Sequence, residues 1–522
     1  MYQRGKLPEV MLLLPFRLAR THHWAARYVK PTDIRAKQGS RSMRSTLTHV
    51  CFALLISVPA AVAFDYDAAS RQLIRNGVQA VLTCNGLFTS ERTLEQVFAQ
   101  ELAYLGKHIV GSVDAGNYRV DHALRWVEVG GGEDGPAVAA AFRSGIGCVV
   151  MAPNMTSGDI GGLPELAPSK IPHNTEELPW PDGDRVQAVE LDPGLSPETL
   201  AAASDWAFDR TNPELDTVAL LIVHKGQIIH ERYADGFDRH TRTRTWSTAK
   251  AIAAALIGLK VDSGELVLDD PLPFNWLPEV ALPEADPRRE ITLRHVLNMS
   301  SGLYPVDSFG MEYATGSGRA YWAGGSSVEA MRDRGLIRKP GTFFDYENYD
   351  TLLAVYALKQ TFDSDPAYLE FPRTELLQRI GMHSTLIGTD RFGDFILSSQ
   401  VYSNARDLAR FGLLHLQGGV WMGEPVLSQD WIDFIRTPAP SSLIRGSDYG
   451  GQWWLVPDGR KDEVPANAYT TSGNRGQYVI VDPLHELVIV RRGLDYGNQG
   501  FDPWRLLAEV LKAFSPDRMT QP

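Results

Sequence analysis

Cysteine is scarce in this chain, with three in 522 residues and none in a CxxC pair or a Cys/His grouping. That usage speaks against a zinc ribbon and against a thioredoxin-type redox centre. No His-Glu-x-x-His run occurs, and no Gly-x-Ser-x-Gly elbow, so two common hydrolase signatures are missing. There is no internal repeat and no low-complexity tract. No apolar run reaches the ~20 residues a membrane-spanning helix needs. Positive charge is short as well: 51 Lys and Arg stand against 63 Asp and Glu, a net charge of -12. Residues 1–63 alone hold ten basic and two acidic residues, so the remainder carries -20. A body that acidic repels a phosphate backbone, which argues against nucleic acid as a partner.

The basic surplus belongs to a leader. After Arg44 and Thr48 the chain runs VCFALLISVPAAVA and then turns polar. Ala61-Val62-Ala63 has the small-x-small form of a signal-peptidase site. The expectation is a signal peptide starting at Met43 and cleaved after Ala63, with no stable membrane insertion afterwards and an exported, periplasmic or secreted product. Residues 1–42 then read as an over-extended start. No cysteine sits at the cleavage point to carry a lipid. Cys51 falls in the leader, leaving Cys84 and Cys148, which can pair in an oxidising compartment or stay as two buried thiols.

Residues 64–163 mix a helical pattern (SERTLEQVFAQELAYLG) with strand-like pieces (HALRWVEV, GCVVMAP) and hold no catalytic motif. They read as an N-terminal accessory region. Residues 164–190 begin with a proline- and acid-rich stretch without periodicity, a linker pattern. From there, residues 191–515 form the third unit. It opens with a hairpin signal, Asp216–Ala234 around Lys225-Gly226, and a second lies at Gln477–Arg491 around Asp482-Pro483. An amphipathic helix, PWRLLAEVLKAF, follows. Strands at both ends of a mainly helical middle predict an α/β fold: a mainly antiparallel sheet flanked by helices, with an inserted helical subdomain.

The chemistry concentrates in TWSTAKAIAAALIGLK, which contains the chain's one Ser-x-x-Lys. Ser247 and Lys250 are three apart, on one face of a helix. A serine hydroxyl needs a base, and a buried lysine can act as one, or act as a cation that acidifies another group. Residues 251–259 contain no polar side chain, so this helix is apolar all round and its lysine is set for burial. A helix-capping serine beside a lysine reaching for solvent has the same spacing.

This segment, with VDSGELVLDDPL and ITLRHVLNMSSGL after it, resembles the beta-lactamase-related serine hydrolases. That group spans class C beta-lactamases, D-alanyl-D-alanine carboxypeptidases, family VIII esterases and 6-aminohexanoate-dimer hydrolases. The likeness runs over roughly residues 190–515. It implies a beta-lactamase/transpeptidase-like fold with the active site between sheet and helical subdomain, an acyl-enzyme on Ser247, and no metal or organic cofactor. The family's Tyr-x-Asn is matched by Tyr346-Glu347-Asn348, which implies a proton-relaying Tyr346 and a substrate-contacting Asn348. Tyr349 lacks the spacing.

The family's Lys-Thr-Gly is replaced by Thr471-Ser472-Gly473, followed by Asn474 and Arg475. The resemblance implies that Ser472 and Gly473 border the substrate and that the N–H of Asn474 joins that of Ser247 as an oxyanion hole. Thr471 brings no charge to hold a substrate carboxylate, and Arg475 either substitutes for it or points away. SGNRGQYVIVDP lies closer to the 6-aminohexanoate-dimer hydrolases and esterases. Small esters or amides are therefore the expected substrates, with a D,D-peptidase or beta-lactamase, or a non-catalytic binding protein, as the alternatives. Oligomeric state has no signature. Trp453 and Trp454 suit either an apolar pocket or the core.

Overall fold

The computed structural model describes residues 68–514, apart from 107–109, 133–134, 168–174, 188–190, 278–285, 307–315, 333, 447 and 498. Met43, the Ala63 cleavage point and part of the 164–190 stretch lie outside the described residues.

The central sheet has six strands, all paired antiparallel. Its hairpin β5 (Thr217–His224) and β6 (Gln227–Tyr233) turns on Lys225 and Gly226, both with positive φ. That two-residue turn matches the right-handed twist of its strands. The remaining strands are β7 (Trp454–Leu455), β8 (Tyr469–Thr470), β9 (Tyr478–Asp482) and β10 (Leu487–Gly493). The spatial order is β7-β8-β9-β10-β5-β6, so the chain's late strands lie beside its early hairpin. The second hairpin turns through Pro483–Glu486, with Asp482 as the last residue of β9.

Period-two alternation assigns the two faces. Leu220, Ile222, Ile480, Leu487 and Ile489 face helices α2 (Pro197–Ala207) and α6 (Pro503–Leu511). Leu221, Val223, Val479, Val481, Val488 and Val490 face the larger core. There α3 (Ala249–Asp262) is buried at every residue from Ala249 to Gly258, as its unbroken apolar sequence requires. Beside it lies α4 (Asn348–Lys359), while α5 (Ala405–Leu416) packs on β10, β9 and β5. This is the mixed α/β architecture expected from the sequence.

The N-terminal region adds a long helix, α1 (Ala68–Phe88), against a four-stranded antiparallel sheet: β1 (Tyr118–Asp121), β2 (Trp126–Val129), β3 (Val138–Arg143) and β4 (Gly147–Val150). A disulfide joins Cys84 of α1 to Cys148 of β4. A Cβ on Gly77 would sit 1.5 Å from the carbonyl oxygen of Trp322, so α1 meets the Gly318–Trp322 helix backbone to backbone. One continuous core runs from Ile74 and Val78 through α3 to Val490. No helix among the described residues is long and apolar enough to cross a membrane.

His415, on the sheet side of α5, lies 4.4 Å from the Phe411 ring and 4.8 Å from the Trp453 ring. Burial pulls its imidazole down to about 4. The folded protein therefore keeps His415 neutral where the unfolded chain protonates it. Its contribution is present above about pH 6.5 and is lost, by about 3 kcal/mol, as pH falls toward 4. Asp390 and Asp407, both pushed up to about 6 by burial, act in the opposite sense over that range. The expected result is that His415→Leu gains on the wild type in urea titrations between pH 7 and pH 4. Parallel stability–pH curves would contradict it.

Candidate active site

The turn that carries Ser247 is tightly determined. Thr245 N–H donates to Val401 O at 2.8 Å, and Trp246 then takes a φ of +50°. Non-glycine residues adopt that conformation only where their surroundings impose it. The Arg244 guanidinium lies 3.9 Å over the Trp246 ring and 4.3 Å over Trp322. Ser247 occupies the short 3-10 turn Trp246–Thr248, half-buried, immediately before α3.

Lys250 stands in the first turn of α3 and is 1% exposed. Its Nζ donates to Asn348 Oδ1 at 2.6 Å, to Ser398 O at 2.9 Å and to Ser247 Oγ at 3.3 Å. The same Nζ lies 5.1 Å from the centroid of the Tyr346 ring. The structure thus brings Ser247, Lys250, Tyr346 and Asn348 together from two separate segments.

Tyr346 precedes α4, whose start is fixed by a buried carboxylate. Asp350 accepts from Ser301 N–H at 3.2 Å and Ser301 Oγ at 2.8 Å, and pairs with Arg334 at 3.2 Å. Burial pushes that carboxyl up against the pull of Arg334. Tyr346 is 37% exposed, whereas Tyr349 is fully buried. Only the former can meet a ligand in the cleft. The Tyr346 ring packs 5.4 Å from Trp454 and 6.0 Å from Tyr449. Trp453, by contrast, is wholly buried between Phe411 and Tyr469. Of the paired tryptophans, one borders the cleft wall and the other belongs to the core.

The third motif closes the site beside the serine. Thr471 Oγ1 lies 3.0 Å from Thr248 Oγ1 and accepts from Val479 N–H at 3.0 Å, tying β9 to the start of α3. A Cβ on Gly473 would fall 2.2 Å from Thr245 O. Glycine there lets this strand pass directly against the nucleophile's turn. The turn's backbone bonds run between Gly473 and Gln477, and Arg475 N–H goes to Asn474 Oδ1, so the N–H of Asn474 enters none of them.

Ser472, half-buried, lies between Thr471 and Gly473 in this stretch. Asn348 directs its amide oxygen to Lys250 and its Nδ2 to Ser317 Oγ at 3.4 Å. Arg475 takes the second of its two courses. Its side chain points away from the cleft and donates to Leu494 O and Asp495 O at 2.7 and 2.9 Å.

The family model described as Beta-lactamase matches residues 208–491, more than half of the chain, a span that includes Ser247, Lys250, Tyr346, Asn348 and Asn474. The chain belongs to the Beta-lactamase family. The 6-aminohexanoate-dimer hydrolase of Paenarthrobacter ureafaciens is 24% identical over 296 residues, 53% of this chain and 72% of that relative. Among solved structures, the octameric penicillin-binding protein homologue from Pyrococcus abyssi aligns at 18% identity over 61% of this chain and 78% of its own, with a TM-score of 0.47. A family VIII carboxylesterase aligns at 15% identity over 62% and 100%, with a TM-score of 0.46.

Three groups of this Beta-lactamase family member escaped the sequence reading: the Ser398 carbonyl, Ser317, and Tyr321, whose hydroxyl bonds Ser398 Oγ. The first is a backbone oxygen in an irregular segment, and the other two are ordinary polar residues far from any motif. Only three-dimensional proximity to Lys250 marks them.

Proposed function

We propose that the chain is a serine hydrolase that cleaves small ester or amide substrates through an acyl-enzyme on Ser247. The observation that carries this reading is the buried Lys250 amine, 3.3 Å from the hydroxyl of the half-buried Ser247. In this mechanism the neutral amine accepts the Ser247 proton as Oγ attacks the substrate carbonyl carbon. The N–H groups of Ser247 and Asn474 hold the resulting oxyanion. Tyr346 passes a proton to the departing alkoxide or amine, and the carbonyl re-forms as the acyl-serine. The Lys250 ammonium passes its proton to Tyr346, which restores the neutral amine. That amine takes a proton from water as the water oxygen attacks the acyl carbon, and returns it to Ser247 Oγ as the acid leaves.

The third motif presents no charge to the cleft, since Thr471 is buried in its own hairpin and Arg475 points elsewhere. That favours uncharged acyl groups over the carboxylates of penicillins and peptide C-termini. The Tyr346–Trp454 wall supplies apolar contact for a short acyl chain. The test is hydrolysis of p-nitrophenyl acetate, p-nitrophenyl butyrate and nitrocefin by protein starting at Phe64. Mass spectrometry of acid-quenched enzyme accompanies it. Ester turnover with an acyl adduct on the Ser247 peptide is expected, with nitrocefin turned over far more slowly. Folded protein with neither turnover nor adduct would sink the proposal. We place the reaction outside the cytoplasm, on the strength of the apolar run before Ala63. N-terminal sequencing of the exported protein is expected to begin at Phe64, and an intact leader would refute this.

A further inference from the structure

The chemistry proposed for Ser247 draws on no residue before 208, yet a segment of the N-terminal region reaches the third motif. Val97–Glu101 and Ala103–Leu105 form two short helical turns. Arg475 Nη2 donates to Gln100 O at 2.9 Å, and Nη1 donates to Glu101 O at 2.8 Å. The same guanidinium lies 4.7 Å over the Tyr104 ring. Tyr104 in turn meets Trp246 edge to face, with centroids 6.3 Å apart and planes at 86°. Both ends of this bridge are residues in the left-handed region, Arg475 at φ +59° and Trp246 at φ +50°. Each directly adjoins one of the two N–H groups assigned to the oxyanion hole, those of Asn474 and Ser247.

The segment is itself anchored. The Arg92 Nε lies 2.9 Å from a Glu101 carboxylate oxygen, and Arg92 Nη1 donates to Gly236 O at 3.2 Å. The Arg92 guanidinium also lies 3.9 Å over the Phe237 ring. Gly236 and Phe237 follow β6, so the bridge begins and ends on the hydrolase sheet. A planar guanidinium with donors fixed in a fork suits this task, because it holds four carbonyls from two regions in one geometry.

We propose that Gln100, Glu101 and Tyr104 are a working part of the catalytic cleft: through Arg475 and Trp246 they hold the two oxyanion-binding N–H groups in register. This rests on the reading of Ser247 as nucleophile. It makes Arg475 and Tyr104 positioning residues and gives the N-terminal region a part in the rate as well as in stability. Displacing an oxyanion donor by about 1 Å costs a rate factor on the order of 100.

The test uses the full mature protein with Arg475→Ala, Arg475→Lys and Tyr104→Leu. Fluorophosphonate labelling rate, kcat and KM for p-nitrophenyl butyrate, and Tm are measured together. Arg475→Ala is expected to slow labelling and kcat by roughly 10- to 100-fold, with KM changed by less than about threefold. Millimolar guanidinium should restore part of that loss. Lysine should restore little, since one ammonium cannot span both carbonyls. Tyr104→Leu should slow both rates in the same direction by a smaller factor, and it carries the test if Arg475→Ala does not fold. Folded variants with a lowered Tm but wild-type labelling and kcat would overturn the proposal and leave the region a brace. Wild-type protein that neither labels nor turns over ester would instead overturn the serine reading beneath it.

Discussion

Ser247→Ala is expected to lower p-nitrophenyl butyrate turnover by about 10⁴- to 10⁶-fold and to abolish fluorophosphonate labelling. The size follows from the covalent step: without Oγ no acyl-enzyme forms. Activity then falls to whatever the oxyanion site gives an attacking water. Stability should hardly change. Ser247 is half-buried, and the Lys250 contact at 3.3 Å is long for a hydrogen bond. A Tm within about 3 °C of wild type separates lost chemistry from lost fold. Retained turnover in the variant would move the nucleophile elsewhere and dissolve the role given to Lys250.

Much of this site was legible because its chemistry is written in short spacings. Ser247 and Lys250 are three apart on a helix whose apolar residues announce burial, and Lys250 is indeed 1% exposed. Tyr346 could be separated from Tyr349 by its distance from Asn348, and the structure gives the physical reason: Tyr349 points into the core. The β5–β6 hairpin could be read because Lys225-Gly226 demands a particular turn. Period-two alternation in β9 and β10 then fixes which side chains face which core.

The rest was hidden for identifiable reasons. Helix α1 carries Asn76, Gln79, Thr83 and Asn85 among its buried residues, so it has no clean apolar stripe. Asn76, Gln79 and Asn85 bond to distant backbone, as in Asn76 Nδ2 to Pro136 O at 2.9 Å and Cys148 N–H to Asn85 Oδ1 at 3.1 Å. A local pattern cannot foretell such partners. The direction of Arg475 was open for the same reason: its course depends on Gln100 and Glu101, some 375 residues earlier in the chain. The two candidate thiols likewise needed the packing of α1 on β4 before their pairing was decided.

Lys250→Met is expected to cost nearly as much activity as Ser247→Ala, and the double variant no more than either alone, because the two groups act as a unit. The more telling comparison is Lys250→Arg. Two acceptors, Asn348 Oδ1 and Ser398 O, hold N–H groups of the amine at 2.6 and 2.9 Å. A neutral amine so held turns its lone pair toward Ser247 Oγ, where it can take the serine proton. An ammonium can only donate there. Arginine keeps the positive charge but does not deprotonate in this range. If Lys250 acts as the base, Lys250→Arg therefore falls as far as Lys250→Met in kcat and in fluorophosphonate labelling. If it serves only as a cation that acidifies Tyr346, the arginine variant retains a measurable fraction of both while methionine retains none. The pH–rate profile supplies the independent check. A lysine base gives an acid limb in kcat/KM that Tyr346→Phe leaves in place, whereas a tyrosinate base loses its limb with that substitution.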